Sequence, residues 1–208
     1  MDRLNFHTGT PGINRDNQGA FRWTSGGGLQ RLPDLAASPL GGTVASFSEV
    51  NGISRDGSTI VGASRGSDGL VQASFWRGGS VTGLGWLGAA PASTDQFASG
   101  VTQALAASAD GSIIVGTALG SENDLAWRWT SASGMQDLNL FATNAGINLN
   151  GYVLNDAVGV SDNGQIIAGN ADNGSQSRGY VLTFSAAPPP PPTSLTTSAR
   201  LIVTLTLP

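Results

Sequence analysis

The chain repeats itself, and nothing else in it constrains the fold as strongly. Ala20-Phe21-Arg22-Trp23 returns as Ala73-Ser74-Phe75-Trp76, as Ala126-Trp127-Arg128-Trp129 and as Gly179-Tyr180-Val181-Leu182. Positions 23, 76, 129 and 182 are each 53 residues beyond the last. Between these copies lies a second motif, Ile53-Ser54-Arg55-Asp56-Gly57-Ser58-Thr59-Ile60-Val61-Gly62. It recurs at 107–116 and again at 160–169, where Asn163-Gly164 replaces the Asp-Gly pair. The closing glycines Gly62, Gly116 and Gly169 are 54 and then 53 apart, and Gly9 lies 53 before the first, in a worn copy. A period of this size means one supersecondary unit per repeat, which buries its faces only by stacking on its neighbours.

Each unit reads as four short strands. The first covers 48–54, 101–108 and 154–161, and ends in an Asp-Gly or Asn-Gly hairpin signal. The second covers 59–64, 113–118 and 165–170; the third carries the tryptophan; the fourth covers 29–35, 81–87 and 135–140. The imperfect alternation of Leu29, Leu32 and Leu35 predicts a bulge in that last strand, and 137–148 has room for one short helical turn. A four-stranded antiparallel unit at this spacing predicts an all-β, β-propeller-like tandem array. About four blade-equivalents are expected, near 3–35, 48–87, 101–140 and 154–185, in one repeat domain over 3–185. The first and last are incomplete, so the ring is expected to be incomplete as well.

Strand two is apolar on consecutive positions, as in Ile113-Ile114-Val115, which suits burial on both faces. The repeated Gly62, Gly116 and Gly169 predict close approach of something large, with the repeated tryptophan as the candidate. Trp23, Trp76 and Trp129 are therefore read as core. Trp86 and Trp127 are not shared by the other copies and are the better candidates for exposure. Residues 186–198 form a proline-rich linker containing Pro188 to Pro192, and 199–208 form a short β-prone tail suited to an edge or docking strand.

Composition removes several function classes. There is no cysteine, hence no disulfide framework, thiolate zinc site or cysteine nucleophile. All ten basic residues are arginines, scattered rather than clustered, and the net charge is −4. That is not a nucleic-acid footprint, which needs concentrated positive charge. No stretch reaches the roughly 20 apolar residues of a membrane helix. The first residues lack an apolar signal-peptide core, so an N-terminus lying further upstream is expected.

The combination of Ala20-Phe21-Arg22-Trp23-Thr24, Leu32-Pro33-Asp34-Leu35, 52–62, 126–130 and 159–169 resembles the bacterial extracellular HAF repeat. The resemblance covers residues 3–185. It implies a propeller-like fold on a secreted or surface-anchored protein, in some cases autotransporter-like, and implies no enzymatic activity.

The lone histidine, His7, lies in the worn N-terminal copy and is read as incidental rather than catalytic; no Ser-His-Asp set can be assembled without it, and a multi-histidine metal site is impossible. Asp56, Asp110 and Asp162-Asn163 are read as hairpin residues rather than calcium ligands. The oxygen-rich loops 66–69, 120–124 and 171–174 are the candidates for weak calcium binding; no other cofactor is implied.

In a four-stranded meander, the one–two and three–four turns share one end. The two–three loops and inter-blade connections share the other. The longer, more divergent segments 65–72, 118–125, 171–178, 36–47, 88–98 and 141–153 are all of the second kind. Binding residues on a rigid scaffold belong on such loops. Asp68, Asp95, Phe97, Glu122, Asp124, Asp172 and Arg178 are the candidate ligand-binding residues. The expected function is a non-catalytic extracellular or cell-surface module that binds a protein or glycan. The alternative is a carbohydrate-active enzyme, glycosidase or lyase, which needs paired carboxylates in one funnel. Open blade edges also make self-association an expected property.

Overall fold

A computed structural model of the chain describes residues 18–35, 47–92, 97–186 and 201–206. Four antiparallel sheets follow one another along the sequence. Sheet I holds β1 (Phe21–Thr24) and β2 (Gly28–Arg31). Sheet II holds β3 (Ser48–Ile53), β4 (Thr59–Arg65), β5 (Val71–Arg77) and β6 (Ser80–Gly85). Sheet III holds β7 (Thr102–Ala107), β8 (Ile113–Ala118), β9 (Leu125–Thr130) and β10 (Gly134–Asp137), and the helix α1 (Leu138–Asn144) follows. Sheet IV holds β11 (Val153–Leu154), β12 (Gly159–Val160), β13 (Ile166–Asp172), β14 (Ser177–Ala186) and β15 (Leu201–Thr206).

Sheets II and III are meanders in which consecutive strands are neighbours. In sheet IV the inner strand is split, β11 and β12 both pairing with β13. The tail strand β15 closes the other edge of sheet IV, running antiparallel to β14 from Val181↔Thr206 to Ala186↔Leu201.

The repeated Ser-x-Asp/Asn-Gly motif builds one turn three times. Ser108 N–H donates to the Ile113 carbonyl (2.9 Å), and Ile113 N–H donates back to Ser108 Oγ (3.0 Å). Ser108 Oγ donates to Asp110 Oδ1 (2.9 Å), which also accepts from Ser112 N–H (2.9 Å). Gly111 completes the turn at φ +65°, a conformation that L residues with a Cβ rarely adopt. Ser54-Asp56-Gly57 and Ser161-Asn163-Gly164 repeat the arrangement contact for contact. These turns touch across sheets: Asp56 N–H donates to Ala109 O (3.2 Å), Ala109 N–H to Asp162 O (3.0 Å), and Arg55 pairs with Asp162.

The inner strands share an irregularity. Pairing shifts between Val50 and Gly52, and between Ala104 and Ala106, and the same stretch interrupts β11 and β12. The repeated glycines sit opposite it. A Cβ on Gly62, Gly116 or Gly169 would collide with the carbonyl of Glu49, Gln103 or Asp156. Close approach is therefore real, but its first partner is backbone rather than the periodic tryptophan. The aromatic neighbours are Trp127, at 2.6 Å from a Cβ on Gly116, and Tyr180, at 2.8 Å from one on Gly169. Both stand two residues before the periodic marker. The bulge expected in strand four is absent from β2, which pairs with β1 in unbroken register, and is found in β6 instead.

Successive sheets stack face to face, and each interface is a core cluster. Trp76 and Ile60 of sheet II pack on Ala20 and Leu32, the residues that flank β1 and β2 of sheet I. Ile114 and Trp127 of sheet III, with Trp129 beside them, pack on Val61 and Ala73 of sheet II. Ile167, Tyr180 and Leu182 of sheet IV pack on Val115 and Ala126 of sheet III. The marker residue thus always points toward the preceding sheet. This explains two departures from the sequence reading. Trp23 is half exposed (50%), not core, because none of the described residues covers that face of sheet I. Trp127, expected as a candidate for exposure, is fully buried because position 127 shares the inward face with 129. Trp76 is 2% exposed, and its indole N–H donates to Pro33 O (2.6 Å); Trp129 is half-buried, with its ring 5.9 Å from Phe75.

Candidate functional site

Antiparallel neighbours force the connections to alternate between two ends of each sheet. One end carries the repeated tight turns at 54–58, 108–112 and 161–165, together with 78–79 and 131–133. The other carries the β4–β5 loop (66–70), the β8–β9 loop (119–124) and the β13–β14 loop (173–176). There too lie the described parts of the β6–β7 connection and the segment from α1 to β11. These loops interlock: Gly100 N–H donates to Leu119 O (2.6 Å), and Asn155 Nδ2 to Asp124 O (3.2 Å). For the described loops, the division that follows from meander order is the one the strand pairing produces; residues 36–46 and 93–96 of the expected segments lie outside the described residues.

The described candidate residues fall at this end, spread over several loops and connections. Asp68 is exposed and accepts from Leu70 N–H (3.0 Å). Asp124 accepts from Gly120 N–H (3.0 Å), and Asp172 from Gly174 N–H (2.5 Å). These three carboxylates shape their own loops, as short acidic side chains do. Glu122 and Phe97 are exposed on neighbouring connections. Asp95 lies outside the described residues, as does His7. Among the described residues, no three His, Asp or Glu side chains converge as a metal-ligand set.

Arg178 is the exception, because it belongs to a small composite surface. Its guanidinium lies 6.0 Å from the centre of the Tyr152 ring, and its Nη2 donates to Gln176 Oε1 (3.1 Å). The Tyr152 hydroxyl reaches the same Gln176 oxygen (3.2 Å). Tyr152 enters from the long connection after α1, and Gln176 from the β13–β14 loop. Neither was singled out from sequence, although Tyr152 has a usable signal: it is one of two tyrosines and stands outside the periodic positions. α1 holds its connection in place. Asp137 caps it through Asn139 N–H (2.7 Å), and the Asn139 side chain binds Leu154 at both its N–H (2.7 Å) and its carbonyl (3.0 Å).

The remaining described aspartates are structural. Asp34 pairs with Arg31 and accepts from Ser48 Oγ (2.6 Å), and Asp156 accepts twice from the Asn170 side chain and once from its N–H. Hydrogen bonds from the Ser112 N–H and hydroxyl and from Ser108 Oγ hold the Asp110 carboxyl down at about 2. The same turn lowers Asp56, chiefly through Ser54. Burial is the first cause of two further shifts. It lowers Arg128, whose guanidinium sits 5.1 Å from the Phe184 ring and 5.4 Å from that of Phe141. It raises Tyr180, with the Asp156 charge adding to it.

No model of a known protein family matches the chain. No curated protein sequence matches it either. Among solved structures, it is similar to a protein assigned as TolB from Agrobacterium tumefaciens. The TM-score is 0.50 and the identity 14%, over 79% of this chain and 51% of that one. A TolB structure from Acinetobacter baumannii aligns with a TM-score of 0.47 and 16% identity, over 80% of this chain and 35% of that one. The chain thus spans about half the length of the first and about a third of the second. The first likeness shows a β-propeller-like fold. Among the described residues, no helix is long and apolar enough to cross a membrane.

Proposed function

We propose that the chain is a secreted or surface-displayed binding module that engages a protein or glycan through its long-loop end. In this reading the four sheets are blade-equivalents of one 53-residue repeat. The observation that carries the proposal is the separation of loop types between the two ends. The end built from the repeated Ser-x-Asp/Asn-Gly turns is nearly identical from sheet to sheet. The other end varies in length and chemistry with every unit, on a scaffold held rigid by stacked cores. The Tyr152–Gln176–Arg178 surface is the best-formed candidate contact there. It offers an aromatic face, a guanidinium and an amide, a combination that suits a polar planar or hydroxylated ligand. The resemblance to extracellular HAF repeats supports placement outside the cell. The engagement of Asp68, Asp124, Asp156 and Asp172 in backbone contacts favours binding over the paired-carboxylate chemistry of a glycosidase.

The test is a glycan array combined with affinity capture on the purified chain. Ligands should lose at least tenfold in affinity with Arg178→Ala or Tyr152→Ala, and nothing with Arg22→Ala. Release of sugar from a bound glycan, or binding insensitive to every long-loop substitution, would refute this reading.

A further inference from the structure

The junction between sheets is heterologous, and among the described residues each of its two halves is left uncovered once, on sheet I and on sheet IV. Each marker residue points back to the preceding sheet, while the residue before it points forward. At the II–III junction this sets Phe75, pointing forward, against Trp129, pointing back, with ring centres 5.9 Å apart. At the III–IV junction Arg128 points forward onto the Phe184 ring (5.1 Å) of sheet IV. The same repeat positions at the two ends of the array are exposed. On sheet I, Trp23, its cross-strand partner Leu29 (70% exposed) and Phe21 face the side where a preceding sheet would stand. On sheet IV, Ile166 and Val181 are exposed on the side where a following sheet would stand. Large apolar side chains exposed together on one sheet face, as Phe21, Trp23 and Leu29 are, mark an interaction site.

We infer that the back face of sheet I in one copy docks on the forward face of sheet IV in a second copy. Val181 then meets Trp23 of the second copy as Phe75 meets Trp129 within the chain. The two exposed faces are the halves of one repeated interface, so their natural complement is each other. An interface between unlike faces closes if the rotation permits, and otherwise extends. The faces lie on the flanks of the array, not at its long-loop end, so this inference is independent of the ligand reading.

The test is multi-angle light scattering on the full 208-residue chain. The particle mass should be at least twice 21.1 kDa. Trp23→Glu and Val181→Glu should each return it to 21.1 kDa, since each spoils one half of every junction. An equimolar mixture of the two variants should associate again, because one variant keeps the good forward face and the other the good back face. Leu29→Glu provides a second back-face variant should Trp23→Glu unfold. A parent of 21.1 kDa throughout its soluble range would overturn the inference. So would loss of association with only one of the two faces, which would mean like faces pair.

Discussion

Replacing Ser108 by alanine tests whether the repeated turn is held together by the serine hydroxyl. Ser108 is buried, and its Oγ makes two contacts: it accepts from Ile113 N–H and donates to the Asp110 carboxylate. A neutral hydrogen bond contributes about 0.5–1.5 kcal/mol, and one to a charged group about 1.5–3. Asp110 is solvent-exposed, so the charged contact belongs at the weak end of its range or below it. The sum is about 2 kcal/mol. For a chain of this length, 1 kcal/mol corresponds to roughly 2–4 °C in melting temperature, so Ser108→Ala should melt about 4–8 °C below the parent. A second readout separates this account from simple loss of packing. The Asp110 carboxyl is held at about 2 chiefly by the Ser112 N–H and hydroxyl and only then by Ser108 Oγ, so Ser108→Ala should raise it part of the way toward 3.8, which carboxylate NMR titration would register. Ser161→Ala removes two neutral bonds in a more exposed turn, to Asn163 and from Ile166 N–H, and should cost about 1–2 kcal/mol. An unchanged melting temperature for Ser108→Ala would refute the argument.

The other predictions follow from the same structure. Trp76→Ala removes a buried indole and its bond to Pro33 O, and should cost about 3–5 kcal/mol, read by calorimetry as a strong drop in melting temperature. Gly116→Ala should cost about 1–3 kcal/mol by forcing a methyl into the Gln103 carbonyl and the Trp127 ring. Gly159→Ala, with nothing within 4 Å of its Cβ position, should stay within about 0.5 kcal/mol on denaturant titration. Asp110 and Asp56 are both lowered in the folded chain, so their contribution is complete above the unfolded value of 3.8 and lost on acidification. For Asp110 the loss spans pH 3.8 to about 2, and Asp110→Asn should flatten melting temperature against pH in that window.

Repetition made the architecture legible in sequence for a physical reason. A turn needing a hydroxyl, a short acceptor and a glycine at positive φ tolerates few substitutes, so Ser54-Asp56-Gly57 and Ser108-Asp110-Gly111 stay recognisable. The strands that flank such turns inherit their limits: β4 at Thr59–Arg65 and β8 at Ile113–Ala118 lie within a residue of their sequence-derived bounds. Burial was less legible, because it depends on what stands next to a sheet and not on the sheet itself. Trp23 carries the same local signature as Trp76, yet one is half exposed and the other is not. Only position in the array distinguishes them.

Position 74 shows why the glycine's neighbour was misread. Ser74, Trp127 and Tyr180 are equivalent and face Gly62, Gly116 and Gly169 across their sheets. The side chain there ranges from a hydroxymethyl to an indole, so no aromatic periodicity announces it. Tyr180 uses its hydroxyl to bind Asp156 O (2.8 Å), while the buried Trp127 N–H has no hydrogen-bond partner among the described residues. The glycine is constant because the invariant neighbour is the inner-strand carbonyl, and that backbone contact leaves no trace in residue type. The ligand end was illegible for a related reason: Tyr152, Gln176 and Arg178 come together through the path of two loops and the Asn139–Leu154 clamp, not through any spacing. A clamp of that kind predicts a specific failure. Asn139→Ala should release the α1–β11 connection, leave the stacked cores cooperative, and weaken any ligand that depends on Tyr152. If ligand affinity survives Asn139→Ala but not Tyr152→Ala, the clamp is not what positions the tyrosine.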